Sequence, residues 1–137
     1  MTRFFKWMIC AAACLCVLTA VAEADVPIDE TTFPDDNFRA YVLENIDKDG
    51  DAMLSEGEIE ETTDIDVADM GIADLTGIGF FTELISLFCD ENELINIEIS
   101  HCKNLRSLHC SYNRIEKLDI SSCTKLNLLQ CSNNQIS

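Results

Sequence analysis

Basic side chains and histidines are scarce in this sequence, and their scarcity excludes several classes of function. The 137 residues include 9 Lys and Arg and 2 His, against 25 Asp and Glu. Nucleic acids and anionic membranes bind basic surfaces, so a chain this acidic argues against both as partners. His101 and His109 are isolated, and the sequence shows no Ser-His-Asp set, no phosphate-binding glycine loop and no paired carboxylate cleft. We therefore predict that the protein is not an enzyme and that cations are a natural class of ligand.

The sequence also has no apolar run that would span a bilayer comfortably. The stretch from Trp7 to Ala20 is too short, follows the basic residues Arg3 and Lys6, and precedes a small-x-small cleavage site that ends at Ala24. This pattern predicts a signal peptide over residues 1–24. We expect a protein that is secreted or exposed at the cell surface, with no membrane insertion after the peptide is removed.

Cysteine pairs with metal-binding spacing are missing as well. Removal of the signal peptide would leave five cysteines, which are Cys89, Cys102, Cys110, Cys123 and Cys131. No C-x-x-C pair occurs among them, and an odd number leaves one cysteine unpaired in any disulfide scheme. Because these cysteines recur at fixed places, we predict that they act as small buried hydrophobic side chains.

What the sequence does contain is a unit of 21 residues that recurs from residue 84 onward. The same residue types return in each unit, as in the sets Leu87/Leu108/Leu129, Cys89/Cys110/Cys131 and Asn92/Asn113/Asn134. The alternation along the first residues of each unit predicts a short parallel strand with its apolar residues pointing inward. The asparagine would follow the strand and satisfy backbone groups of its own coil and the next one. A short unit cannot bury its own apolar face, so the units must stack into a solenoid.

The repeating pattern resembles the leucine-rich repeat family, strongly over residues 84–136 and loosely over residues 63–83, where it fits the next unit if shifted by 22 residues. The whole arrangement is similar to the internalin-type surface proteins of bacteria, whose repeats follow an export signal and a small helical cap. The resemblance implies an α/β solenoid of stacked parallel strands behind a helix-loop-helix cap over residues 25–62. Residues 63–83 would form an irregular first repeat. Residues 84–137 would form regular repeats that are incomplete at the C-terminus, so we expect a longer array.

An acidic loop lies between the two predicted cap helices, for which Pro34 suits the first turn of one and Ser55 the N-cap of the other. Residues 47–58 match the EF-hand calcium loop, in which hard oxygen ligands come from alternate positions. The departure is Ala52, where a positive φ favours glycine and alanine costs about 1 kcal/mol. We predict a structural Ca²⁺ site, with a solvated acidic turn as the alternative. The predicted ligands are Asp47, Asp49, Asp51, the carbonyl of Met53, Ser55 and Glu58.

Binding is predicted on the concave face of the sheet, where outward strand positions are free to vary. Phe88, His109 and Tyr112 form a predicted aromatic anchor, although Phe88 could equally cover the junction with the cap. Another protein or a surface glycan is the expected partner. Two alternatives are a dockerin-like, calcium-dependent assembly module and a non-catalytic accessory region of a larger secreted enzyme. The predicted contact residues are Phe88, Asp90, His109, Ser111, Tyr112, Gln130 and Ser132.

Overall fold

The computed structural model describes residues 25–137, and the predicted signal peptide lies outside them. Two short strands and two helices come first, followed by four strands and a 3-10 turn. In chain order the elements are β1 (Val26–Pro27), α1 (Asp36–Asn45), β2 (Met53–Leu54), α2 (Glu56–Glu61), β3 (Asp64–Asp66), the 3-10 turn Ile78–Phe80, β4 (Ser86–Phe88), β5 (Ser107–His109) and β6 (Leu128–Gln130). Strands β1 and β2 pair antiparallel, and β3 to β6 form a parallel sheet in chain order. None of the helices within residues 25–137 has the length and apolar character needed to cross a membrane.

Helix α1 begins after an aspartate cap instead of at a proline. The carboxylate of Asp35 accepts the N–H groups of Asn37 and Phe38, both at 3.0 Å, which satisfies two of the free donors at the helix start. The prediction that Pro34 lies in the first helical turn is therefore wrong, because Pro34 precedes the capping residue. The cap of α2 is as predicted, since Ser55 forms a reciprocal capping box with Glu58.

The cap and the repeats share one hydrophobic core. Phe33, which precedes α1, lies 5.7 Å from Phe38 and 6.4 Å from Phe81 between ring centroids, and all three are fully buried. The second carboxylate oxygen of Asp35 also accepts the N–H of Ala73 at 2.8 Å, which joins the start of α1 to the first coil. The helices are therefore packed onto the solenoid as a continuous structure.

The parallel sheet aligns equivalent residues of successive coils. Leu87 lies opposite Leu108, and Leu108 lies opposite Leu129, each 21 residues further along. In the irregular first coil, Ile65 lies opposite Leu87, the partner expected from the 22-residue shift. Ile65, Leu87 and Leu108 are fully buried, whereas Leu129 is 37% exposed. Stacking of coils therefore buries the inward residues, as the repeat pattern predicts.

The asparagine after each strand bonds its own coil and the preceding one. Asn92 donates from Nδ2 to the carbonyls of Val67 at 2.8 Å and Cys89 at 3.2 Å, and its Oδ1 accepts the N–H of Ile72 at 2.9 Å. Val67 and Ile72 belong to the coil before Asn92. The prediction that the amide reaches the next coil is thus wrong in direction, because the bonds that leave its own coil run to the preceding one.

The cysteines in the described part of the chain are free, and four of the five are buried. Cys89 lies beside Cys110 in the stack, and its Sγ donates to the carbonyl of His109 at 3.3 Å. Burial raises the pKa of Cys102 and Cys110 to about 12, and it also raises the pKa of Cys89. These thiols are therefore protonated at neutral pH and behave as small apolar side chains.

Alkylation should distinguish the buried thiols from the half-buried one. A thiol with a pKa of about 12 is roughly one part in ten thousand thiolate at pH 8, so we expect iodoacetamide to spare Cys110 in the folded protein. We expect Cys131 alone to react, since it is half-buried, and all five to react in denaturant. Intact mass with peptide mapping measures this, and a Cys131→Ser variant is the control. Modification of Cys110 under native conditions would contradict the prediction.

Candidate functional site

The acidic loop between α1 and α2 brings three of its predicted ligands together. One carboxylate oxygen from each of Asp47, Asp49 and Glu58 lies within 4.8 Å of the other two. Asp47 follows the buried end of α1 and Glu58 lies in the first turn of α2, so both are buried, whereas Asp49 is exposed at the loop tip. Three converging carboxylate oxygens are a donor set that suits a hard cation.

Two of the other three predicted ligands, Asp51 and Ser55, are engaged in local hydrogen bonds. Asp51 is exposed, and its carboxylate accepts the N–H of Met53 at 2.8 Å. Ser55 donates its hydroxyl to Glu58 at 2.8 Å within the capping box. Asp51 and Ser55 would therefore have to exchange or share these bonds to contact an ion.

Backbone amides hold the loop in its turn. Asp47 accepts the N–H of Gly50 at 2.7 Å with one oxygen and the N–H of Ala52 at 2.9 Å with the other. Gly50 has a φ of 75° and Ala52 a φ of 61°, so both lie in the left-handed region. Ala52 thus adopts the conformation for which the EF-hand pattern prefers glycine, at a cost of about 1 kcal/mol.

The loop carboxylates repel one another. The N–H of Asp51 lowers the pKa of Asp49, but desolvation and the charges of Asp51, Glu58 and Asp47 outweigh it, so the pKa of Asp49 is raised. Desolvation raises the pKa of Glu58, but hydrogen bonds from Ser55 and Lys48 outweigh it and leave that pKa lowered. Glu58 and Asp49 thus place negative charges close together, an arrangement that a cation would stabilise.

The outward residues of the parallel sheet form a continuous surface, which we call the open sheet face. Its central row runs across the four strands, with Asp66, Phe88, His109 and Gln130 side by side. Its other members are Asp64, Ser86, Ser107 and Leu128 on the strands, and Asp90, Ser111 and Ser132 just after them. Asp64 and Asp66 were not among the predicted contact residues, although the 22-residue shift aligns them with Ser86 and Phe88.

Phe88 and His109 pack against each other at the centre of this face. Their ring centroids are 4.7 Å apart and their planes are inclined by 44°. Both side chains are partly exposed. Tyr112, predicted to join them, is 59% exposed in the turn after β5, and no ring pairing within residues 25–137 links it to either. The aromatic anchor is therefore a pair, with Tyr112 at the rim.

Polar groups surround the pair in an arrangement that the sequence did not reveal. Ser107 Oγ lies 3.1 Å from His109 Nε2, and Asp90 Oδ2 lies 4.0 Å from His109 Nδ1. The structure thus brings a serine and an aspartate near His109, although the sequence shows no Ser-His-Asp set. The second distance exceeds a hydrogen bond, however, and the other Asp90 oxygen accepts the N–H of Ser111 at 2.6 Å. Asp90 therefore does not orient the imidazole as a nucleophilic triad requires.

Three further predicted contact residues differ in how much surface they present. Ser111 is only 6% exposed, because its hydroxyl accepts the hydroxyl of Ser132 at 3.2 Å and its N–H is bonded to Asp90. Ser111 thus offers a partner little surface, which corrects its place among the predicted contacts. Gln130 and Ser132 are exposed on and after β6.

Comparison with known proteins identifies the fold. No protein-family model matches the chain. Internalin J of Listeria monocytogenes serotype 4b (strain F2365) is 34% identical over 68 residues, which are 50% of this chain and 7% of that protein. The functional domain of InlJ from Listeria monocytogenes, described as including a cysteine ladder, superposes with a TM-score of 0.76 at 31% identity, over 85% of this chain and 26% of that one.

A second solved structure extends the likeness. The internalin InlF from Listeria monocytogenes strain 4b F2365 superposes with a TM-score of 0.65 at 28% identity, over 85% of this chain and 35% of that one. The fold of the chain is therefore similar to the leucine-rich repeat solenoids of these internalins. The chain spans 7% of the curated relative and about a quarter to a third of the two solved chains. These matches favour neither an assembly module nor an enzyme accessory region.

Proposed function

We propose that this chain is an exported binding protein that recognises another protein, or a surface glycan, through its open sheet face. The observation that carries the proposal is the strand register, which joins the outward residues of four coils into one row of Asp66, Phe88, His109 and Gln130. Exposed residues that are held in a fixed array by a rigid sheet are the means by which solenoids bind partners. The likeness to internalins supports the same role.

The Phe88–His109 pair is the proposed centre of contact. An aromatic pair that is already packed loses little side-chain freedom on binding, and its apolar surface is bordered by hydrogen-bonding groups of Asp90 and Ser107. Binding energy at interfaces is concentrated in such central aromatic residues.

Removing the pair should abolish most partner binding without unfolding the protein. We expect the double variant Phe88→Ala/His109→Ala to weaken binding at least a hundredfold, since central aromatic residues each contribute about 2 kcal/mol or more. Immobilised protein is used to capture partners from cell-surface extracts. The affinity of the wild type and of each variant for a captured partner is then measured by surface plasmon resonance. Ile95→Ala is the matched control, because Ile95 is exposed but lies outside the sheet. If the double variant and the wild type bound the partner with equal affinity, the binding site would have to lie elsewhere on the protein.

We also propose that the loop of residues 47–58 binds one structural Ca²⁺. The support is the convergence of the Asp47, Asp49 and Glu58 oxygens, the left-handed turn at Ala52, and the mutual repulsion of the carboxylates. When bound, calcium would supply charge neutralisation between the end of α1 and the start of α2. Asp51, Ser55 and the Met53 carbonyl would complete the oxygen set.

Calcium should stabilise wild type but not a Glu58→Gln variant. With a dissociation constant on the order of 10⁻⁴–10⁻³ M, 10 mM calcium is expected to add about 1.4–2.7 kcal/mol to the free energy of unfolding. Urea denaturation with and without calcium measures this. Glutamine keeps an oxygen for the capping box but not the second acceptor, which binds the N–H of Lys48, so each variant is compared only with itself, with and without calcium. Glu60→Gln, on an exposed position of the same helix, is the control and should respond like wild type. A calcium response in Glu58→Gln would contradict the proposed ligand set.

The calcium effect should disappear in acid. The pKa of Asp49 is raised from its ordinary value and the pKa of Glu58 is lowered from its ordinary 4.5, so both carboxyls lose their charge in acid. Without calcium the two shifts act in opposite directions as the pH falls: protonation of Asp49 adds stability because its folded-state pKa is raised, whereas protonation of Glu58 removes stability because its folded-state pKa is lowered. With calcium, protonation of either carboxyl lowers stability, because the metal needs the ionised form of both. The two stability curves should therefore converge below about pH 4.

A further inference from the structure

We propose that strand β1 favours calcium binding, because it holds Ala52 in its strained, left-handed conformation and leaves the Met53 carbonyl free for the ion. The inference rests on the proposed calcium site and concerns residues that supply no ligand. In the described part of the chain β2 pairs with β1 alone, with Val26 opposite Leu54 and Pro27 opposite Met53. The segment before the first helix thus contacts the loop directly.

The pairing register determines which way the Met53 backbone faces. In an antiparallel pair, hydrogen-bonded and non-hydrogen-bonded residue pairs alternate. Ile28 donates its N–H to the Ala52 carbonyl at 2.9 Å, so Pro27 and Met53, one residue along, form a non-hydrogen-bonded pair. The N–H and carbonyl of Met53 therefore point away from β1 and into the loop, where the N–H already donates to Asp51 at 2.8 Å. Pro27 fits this position because no N–H is needed there.

Ala52 is held on both sides by these contacts. Its N–H donates to Asp47 at 2.9 Å and its carbonyl accepts from Ile28 at 2.9 Å, while its φ is 61°. A residue in a disfavoured conformation persists only where its surroundings impose it. Strand β1 thus supplies one of the two hydrogen bonds that hold Ala52 in this conformation. A glycine at position 52 would depend less on them.

Strand β1 is itself anchored to the core. Ile28 is buried in the hydrophobic cluster, and the hydroxyl of Thr32 donates to the carbonyl of Pro27. Phe33 follows at once and is fully buried. Strand β1 is therefore ordered before any ion binds, so the turn at Ala52 is preorganised. Calcium binding then loses little free energy to ordering of the loop.

Calorimetric titration with calcium on wild type and three variants tests the proposal. We expect Ile28→Pro, which lacks the donor to Ala52, to bind calcium about tenfold more weakly than wild type. We expect Ala52→Gly to bind severalfold more tightly, and the penalty of Ile28→Pro to shrink in the Ala52→Gly background. This non-additivity is the specific prediction, because a general loss of stability would weaken binding equally in both backgrounds.

A milder pair of variants keeps the test decisive if Ile28→Pro does not fold. Thr32→Val removes the hydroxyl that anchors β1, whereas Thr31→Val removes a neighbouring hydroxyl that bonds only Asp29. We expect weaker calcium binding in Thr32→Val than in Thr31→Val. Equal calcium affinity in wild type and Ile28→Pro, or in the two threonine variants, overturns the role of β1 while leaving the calcium site standing. Absence of any binding heat in wild type overturns the calcium site itself.

Discussion

Replacing Asn113 with leucine is expected to cost about 3–5 kcal/mol of the free energy of unfolding. Asn113 is 7% exposed, and its Oδ1 accepts the N–H of Leu94 at 3.0 Å. Its Nδ2 donates to the carbonyls of Cys89 at 2.9 Å and of Cys110 and Ser111 at 3.2 Å. Those carbonyls keep other donors, but the buried Leu94 N–H would have none, so the loss includes the desolvation cost of an unpaired buried donor.

The equivalent change one coil later provides a matched control. Asn134 accepts the N–H of Ile115 at 3.0 Å and donates to the carbonyl of Cys110 at 2.8 Å, so it makes the same kinds of bond. It is partly exposed, and water can replace the missing partner. We expect Asn134→Leu to cost about 1–2 kcal/mol. Urea denaturation of both variants measures the difference. Equal losses would show that burial of the amide does not set its contribution.

Replacing Leu108 with alanine is expected to cost about 3–4 kcal/mol. Leu108 is fully buried and stacks between Leu87 and Leu129 on the adjoining strands. Coils on both sides restrict collapse of the cavity, so the loss should lie in the upper part of the range for such truncations. Chemical denaturation monitored by circular dichroism gives the value.

The same truncation at Leu129 should cost about 1 kcal/mol, because Leu129 is 37% exposed and part of its side chain is already in water. A loss at Leu129 that matched the loss at Leu108 would mean that stacking on both sides does not govern the energy. The ratio of the two losses therefore tests the stacking of coils directly.

Most of the open sheet face could be predicted from the repeat pattern, and the exceptions have physical causes. Asp64 and Asp66 were missed because their coil lacks the leucine and asparagine positions of the regular units, although the alignment of Ile65 with Leu87 contained the information. The burial of Ser111 depends on Ser132 of the next coil and on the carboxylate of Asp90. The 21-residue period places Ser111 beside Ser132, but it does not show that these hydrogen bonds and the packing around Ser111 leave it only 6% exposed.

The acidic loop shows the same division. Alternating acids and the capping residue Ser55 predict a turn followed by a helix, and the structure has both. Strand β1 could not be predicted, because two residues that include a proline show no alternation and no strand propensity. Its existence depends on the free edge of β2, which only the folded chain brings beside it.

The sequence by itself determined the stacking of coils, the inward residues and the acid-lined loop, because each depends on a spacing that recurs or on a turn that closes locally. The tertiary structure alone decided three other features: the separation of Tyr112 from the Phe88–His109 pair, the backward reach of the asparagines and the strand that holds Ala52. Each of these depends on contacts between groups that are distant in the sequence, and such contacts are set by the free energy of the whole folded chain. Local pattern does not encode them.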